Sequence, residues 1–557
     1  MQMFLKPLTE LAEYDEIRSR IRKGPGIISL AGCARGQKAH MIYGLSYDAK
    51  ITLVVTENDL AAKALYEDLL FYEPGALFYP AKDLLFYQAD ITSNLLDIQR
   101  MRVFRALIED ERVTVVVPVA AMMDMVSVRE DLTDARLVFE MDEEVDLDWI
   151  RESLVRSGYE RCPEVSLPGQ FAVRGSIIDI WSLTEERPFR IELFGDEIDS
   201  MRSFDPESQR SIENLQKVMI YPAADNIGRK AGLSGWFPTG KDGNIADECV
   251  IFLDEPTHIL EAAGAVENEF RESVKMRIEQ GDYRKDEKIP EILGVDRIVS
   301  DFNRSRCVAL SALDMRKGDW NITAAFGQTV QAVSSYNGSF EFLVGDIKKY
   351  RKRGYRVIVM SASHTRARRL AQDLDRQEVP AFYTEDEKLE LASGQVAVVY
   401  GRASRGFEYP LIRLAVITET DILGTKPKKR KKRTRYSGEK IASFNELHVG
   451  DPVVHENRGV AIYRGIEQVK VDDVLKDYIK LEYKDGNLYV LATQLDVLQK
   501  YTGGGENSTP KLNRLSGQEW EKTRAKVKSS VRSIAKDLIA LYAVRENSQG
   551  FAFGEDT

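Results

Sequence analysis

The chain has few of the side chains that usually give chemistry away. In 557 residues there are four cysteines, Cys33, Cys162, Cys249 and Cys307. Their scattered spacing excludes a metal knuckle or a redox pair and fits reduced thiols in a cytosol. The five histidines, His40, His258, His364, His448 and His455, show no zinc-like spacing. His455, within VVHENRG, is expected to make a structural hydrogen bond rather than to act in catalysis. The N-terminal MQMFLKPLTEL lacks an apolar core of signal-peptide length, and no later run is long and apolar enough to span a bilayer. The expectation is therefore a cytoplasmic protein with no membrane contact. Positive charge is also short. The formal net charge of -10 excludes a uniformly basic surface, so any nucleic-acid contact must be local.

An intact phosphate loop is missing as well. The short apolar strand Ile27-Ile28-Ser29-Leu30 feeds Gly32-Cys33-Ala34-Arg35-Gly36-Gln37-Lys38-Ala39. A working loop of the form GxxxxGK[ST] wraps phosphates with backbone N–H groups and holds magnesium with a hydroxyl. Gly32 and Lys38 fit that form. Gln37 replaces the second glycine, and Ala39 replaces the hydroxyl residue. The loop reads as a relic, dead for nucleotide hydrolysis. Further on, Cys249–Leu253 is a strand ending in Asp254-Glu255, the acidic pair of a Walker B motif. That pair is either an acidic strand end or half of a metal site whose other half is gone.

What is present is a long alternation of strands and helices. After a helix over Glu10–Arg22, the patterns predict strands at Ile51–Thr56, Ala76–Tyr79 and Val113–Val117, with helices at Asn58–Leu70 and Ile98–Ile108. This is the signature of a parallel α/β sheet. A strand-rich insertion interrupts it. The helix Leu147–Ser157, N-capped by Asp146 and stopped by Gly158, precedes YERCPEVSLPGQFAVRGSIIDIWSL and RPFRIELFGDEIDSMRSFDPESQRS. A second, smaller α/β unit begins at Asn337-Gly338. It has a helix capped by Ser339, a strand at Tyr355–Met360, a helix at Thr365–Leu374 and a strand at Val396–Val399. Its GRASRGFEYP, Gly401 to Pro410, faintly resembles a helicase motor motif; without a phosphate loop its role is read as structural.

The basic run Lys426–Arg435, KPKKRKKRTR, reads superficially as a nuclear import signal. The plainer reading is an extended, self-repelling linker with weak, salt-sensitive attraction for phosphates. His448–Tyr501 then alternates short Val/Ile/Leu/Tyr runs with turn signals, as a small antiparallel barrel does. In Asp477–Tyr483, Ile479, Leu481 and Tyr483 share one face and Tyr478, Lys480 and Glu482 the other. One set faces the core, and the sequence does not say which. A barrel edge that adds to a partner's sheet keeps some apolar side chains exposed. The expectation adopted is that Ile479 and Leu481 lie at the contact. Ser516-Gly517-Gln518-Glu519 reads as a capping box for a long helix striped with Val527, Val531, Ile534, Leu538 and Leu541.

The run GDPVVHENRGVAIY, Gly450 to Tyr463, resembles the RNA-polymerase interaction module of the bacterial transcription-repair coupling factors, which is related to regulators of the CarD type. The YERC…AVRG insertion resembles the domain by which the excinuclease protein UvrB binds its partner UvrA. The resemblance covers essentially the whole chain and implies a fold in several parts. Residues 1–128 plus 223–335 would form a degenerate P-loop-type α/β domain, and 129–222 an inserted α+β domain. Residues 336–424 would be a small α/β domain, 425–444 a basic linker, 445–505 an SH3-like barrel and 511–548 a long helix. It implies contact with UvrA through Arg161 and Arg174. Ala172 stands where the family has another arginine, so one charged contact looks absent; the alternative is that Arg161 and Arg174 are ordinary solvated residues. It implies contact with the RNA polymerase β subunit through Tyr478, Ile479, Lys480 and Leu481. It also implies that the chain is a monomeric N-terminal portion of a longer protein, without cofactor of its own. ATP, magnesium and double-stranded DNA would belong to a motor outside the chain. The rival from another class is an ATP-dependent helicase or excinuclease component that works in its own right, against which Gln37 and Ala39 argue.

Overall fold

The structure is a computed structural model. It describes residues 1–82, 94–206, 208–237, 249–280, 291–315, 318, 320–424, 449–455, 458–471, 474–484, 486–491, 498–501 and 512–514. The basic run, its linker and the C-terminal helix expected from the sequence lie outside the described residues. The chain divides into two compact units, residues 1–428 and 429–557.

The first unit is built on a seven-stranded sheet. Its strand order is Ile322–Gly327, Gly26–Ala31, Arg306–Ser311, Cys249–Asp254, Ile51–Thr56, Val113–Pro118 and Leu77–Phe78, with every neighbour parallel. Gly26–Ala31, Ile51–Thr56 and Val113–Pro118 are buried at every position. Their unbroken apolar runs are what a sheet covered by helices on both faces requires. The helix Asp59–Tyr72 follows its strand directly, and the Asn58 side chain caps it by accepting from Ala61 N at 2.9 Å.

Between Pro118 and Cys249 the chain leaves this sheet. A six-stranded sheet runs Ser211–Asn214, Glu197–Phe204, Phe189–Phe194, Ile177–Ile180, Gln170–Arg174 and Glu160–Arg161, antiparallel except for its last pair. Its inner face carries Phe171, Ile178, Ile180, Ile191 and Met201, packed beneath the helix Leu147–Arg156. Asp146 caps that helix, accepting from Asp148 N at 2.9 Å and Trp149 N at 3.2 Å.

One guanidinium fixes where this insertion departs and returns. Arg100 is 1% exposed. It donates from Nη1 to Asp124 and from Nε to Asp225, both at 2.7 Å, and lies 4.3 Å over the Tyr79 ring. Burial would raise the Asp225 carboxyl, but Arg100 and Lys82 bring it down to about 2. Sequence reasoning missed this knot, since nothing in the local pattern around Arg100 marks it as a core residue.

The second sheet of the first unit runs Gln331–Ala332, Phe407–Tyr409, Leu414–Ile417, Arg356–Ser361, Val396–Tyr400 and Ala381–Tyr383. The last four strands are mutually parallel. The two large sheets share one hydrophobic core, in which Phe4, His40, Tyr72, Phe407 and Tyr409 pack ring against ring. The His40 imidazole stacks on Phe407 at 5.2 Å, its Nε2 is 2.9 Å from Phe4 O, and burial pulls its pKa down to about 4.

Among its described residues, the second unit holds a five-stranded antiparallel sheet ordered Asn487–Leu491, Val474–Glu482, Gly459–Val471, Pro452–His455 and Leu498–Lys500. Ile479, Leu481 and Tyr483 supply its core with Val453, Ala461 and Tyr463. His455 is buried, and burial lowers its pKa to about 4.

Candidate functional site

The relic phosphate loop sits at the carboxyl end of Gly26–Ala31, where a nucleotide would sit in a sheet of this kind. Its backbone is already engaged. Cys33 N donates to Ser311 O and Gln37 N to Ala34 O, both at 3.0 Å. Gly32 has φ +79°, and a β-carbon there would lie 2.4 Å from Gln328 O. At Gly36 a β-carbon would lie 2.3 Å from Arg405 O. The glycines thus admit the main chain of neighbouring segments rather than phosphates. Gln37 is fully buried, and its side-chain amide finds no hydrogen-bond partner among the described residues.

Lys38 completes the closure. Its ammonium is 2.5 Å from Asp254 and 2.6 Å from Glu255, with the lysine side chain 8% exposed. Burial alone would lower the lysine pKa, but the two carboxylates outweigh it and leave it raised. Burial pushes the Asp254 carboxyl up against the pull of Lys38. Glu255 has φ +56°, and its carboxylate also accepts from Ala312 N at 3.0 Å. The residues that would hold ATP and magnesium therefore hold one another, and the group does not fit. Among the described residues no cluster of three metal-ligating side chains occurs. Nor is any helix there long and apolar enough to cross a membrane.

The loop from Gly401 to Gly406 effects the seal. Ser404 N and Oγ donate to Asp68 at 2.5 and 2.6 Å, and Gly406 N donates to Asp421 at 2.7 Å. This loop, read from sequence as structural, lies on the relic.

On the inserted domain, Arg174 and Arg190 both reach the fully buried Asp179, Arg190 at 2.7 and 2.9 Å. Arg202 pairs with Glu192 on the next strands. Arg161 is exposed, but its register partner is Phe171, a core residue, whereas the strand alternation puts Arg174 on the opposite face. The structure does not bring the two arginines onto one face. Sequence reasoning missed Arg190, whose signal was its alternation with Ile191 in RPFRIELF.

In the small sheet, Ile479 and Leu481 are 0% exposed. The expectation that they lie at a contact is overturned: they fill the core, and Lys480 and Glu482 are the half-buried outward set. The strand is also not an edge. Tyr478–Glu482 pairs with Asn487–Leu491 on one side and with Gly459–Val471 on the other. The edges are Asn487–Leu491 and Leu498–Lys500. A strand paired on both sides carries the same alternation in sequence as an open one, and that ambiguity is the physical reason for the difference.

Residues 137–225 match the UvrB interaction domain, and residues 447–502 match the CarD-like/TRCF RID domain. Along 97% of its length the chain is 31% identical to the transcription-repair-coupling factor of Bacillus subtilis (strain 168), of which it covers 52%. The chain is similar to the N-terminal half of the transcription-repair-coupling factors. The factors of Staphylococcus haemolyticus, 31% identical over 92% of the chain, and of Staphylococcus aureus (strain USA300), 30% over 94%, are covered to 48% and 50%. The chain thus spans about half the length of these bacterial coupling factors.

Proposed function

We propose that the chain is the adaptor half of a transcription-coupled repair factor, binding RNA polymerase through its small sheet and UvrA through its inserted domain. The observation that carries this reading is the presence in one chain of a UvrB interaction domain and a CarD-like/TRCF RID domain. The proposed division has a degenerate α/β domain at 1–128 and 223–335, a UvrA-binding domain at 129–222 and a small α/β domain at 336–424. A basic linker at 425–444, a polymerase-binding barrel at 445–505 and a helix at 511–548 complete it. The proposed partner surface for UvrA centres on Arg174, with Arg190 beside it on the shared Asp179; Arg161, on the opposite face, is kept as a second contact to be tested separately. Arg suits such a surface because its fork meets carboxylates bidentately.

For the polymerase β subunit, the outward positions Lys480 and Glu482, with Tyr478 retained, replace Ile479 and Leu481. In the cytoplasm of a bacterium, a full-length, monomeric protein of this kind would displace stalled polymerase with an ATP-driven motor on double-stranded DNA. The rival reading, a nucleotide-dependent enzyme in this chain itself, has the Lys38 pairing against it.

The test is a pull-down of the full chain with RNA polymerase core and, separately, with UvrA. Arg161→Ala and Arg174→Ala, each made alone, are expected to reduce only the second interaction, and Lys480→Glu only the first. Capture of neither partner by the wild-type chain would overturn the adaptor reading.

A further inference from the structure

The carboxyl ends of both parallel sheets of the first unit meet where the Arg405 carbonyl lies over Gly36. Along that seam the side chains follow a pattern the adaptor reading does not use. Tyr400 ends its strand 47% exposed, and the His364 imidazole stacks on it at 4.0 Å with 15° between the planes. Arg368 lies 5.1 Å over the neighbouring Tyr383 ring, its own side chain 64% exposed. Arg402 and Arg35 are exposed, and the Arg405 side chain is 46% exposed.

The carboxylates beneath this strip are largely out of reach. Asp421 is 1% and Asp68 6% exposed, each held by the Gly401–Gly406 loop. Glu419 is taken by Ala362 N at 2.7 Å and by Arg366. Glu385 is exposed but is bonded by Tyr383 and His364, and Arg368 lies 3.5 Å from it. The Arg405 guanidinium therefore faces solvent over the buried Asp421, with Arg402 and Arg35 exposed beside it, while Arg368 has the exposed Glu385 as its neighbour. In a chain of net charge -10, this is a local cationic strip with aromatic rings set into it.

We infer that this strip, from Arg35 through Arg405 and Arg402 to the Tyr400–His364 stack and Arg368, binds single-stranded nucleic acid. Exposed rings offer a base a stacking surface that tolerates any sequence, and arginines beside them track the phosphates. A duplex keeps its bases stacked within itself and cannot use the rings. A mononucleotide is disfavoured because Glu419 already occupies the backbone amide that leads into the helix His364–Arg376. The inference stands apart from polymerase and UvrA binding, which it neither needs nor explains.

The test uses the full chain and fluorescence anisotropy with labelled oligo-dT and oligo-rU of about 20 nucleotides, beside a duplex of equal length. Saturable binding of one or both single strands, weaker as salt rises and stronger than to duplex, is expected. Tyr400→Ala should weaken it about 5- to 100-fold, Tyr400→Phe should restore it, and Arg402→Glu with Arg405→Glu should weaken it further. Preference between dT and rU would show which strand chemistry is taken. Three outcomes overturn the inference: no binding up to about 100 μM protein, equal binding of the duplex, or affinity unchanged in folded Tyr400 and arginine variants. Binding that is lost only when the 426–435 basic run is neutralised also overturns it.

Discussion

The main-chain oxygen of Arg405 stands 2.3 Å from where a β-carbon on Gly36 would begin. The oxygen is backbone and the position of a β-carbon is set by its backbone, so neither can move aside by a rotamer change. Gly36→Ala must push the Gly401–Gly406 loop off the relic phosphate loop. A loss of about 1–3 kcal/mol is expected, the usual cost of overpacking. Urea unfolding followed by tryptophan fluorescence measures it, and a neutral substitution would mean the contact is loose.

The Lys38 pairing makes two demands. The chain should release no phosphate from Mg-ATP above background in a colorimetric assay. Lys38→Ala should destabilise by about 3 kcal/mol, because it leaves Asp254 and Glu255 facing each other without a counter-ion. Turnover abolished by Lys38→Ala would instead make the site an enzyme's.

His40 predicts a pH dependence. Its folded pKa of about 4 lies below the ordinary 6.5, so the unfolded chain binds the extra proton. Its contribution is complete above pH 6.5 and is lost as pH falls towards 4, up to about 3 kcal/mol. His455 has the same sign in the other unit. His40→Gln should flatten the stability profile of the first unit between pH 6.5 and 4. Asp225, held at about 2, acts only below the ordinary carboxylate range and leaves this window clear.

Ile479→Arg should unfold the small sheet, costing more than about 4 kcal/mol, because a charge would enter a site with no exposed surface. Lys480→Glu should keep the fold. Circular dichroism of the two variants distinguishes them, and a folded Ile479→Arg protein would contradict the register.

Arg190→Ala removes two hydrogen bonds from the buried carboxylate of Asp179 and should cost about 3 kcal/mol. Arg161→Ala, at an exposed position, should change stability by less than about 0.5 kcal/mol. Thermal melts of the two variants check the contrast.

Local physics was legible in the sequence. The strand Ile51–Thr56 and the caps Asp146 and Ser339 stand at or within a residue or two of where periodicity and capping chemistry put them, and the helix read as starting at Asn58 begins one residue later with Asn58 as its cap. The damage to the phosphate loop was legible because hydroxyl and glycine are chemical requirements of a working one. What occupies the loop was not. Arg405 and Gly36 are far apart along the chain, and a backbone contact leaves no trace in residue type. Alternation in Asp477–Tyr483 defined two faces but could not orient them. Both faces hold residues able to pack, and only the folded sheet decides between them, by burying Ile479, Leu481 and Tyr483.

Asp124 and Asp225 flank the inserted domain in sequence yet touch the same guanidinium. The two ends of that domain are therefore side by side, and the scaffold sheet closes beneath them without a gap. A segment attached in this way can grow, shrink or be exchanged while the scaffold bears only the modest entropy of closing a loop of different length. Arg100 thus makes the insertion a cartridge. The scaffold can present a different recognition surface at this position without being rebuilt, provided the two aspartates are kept.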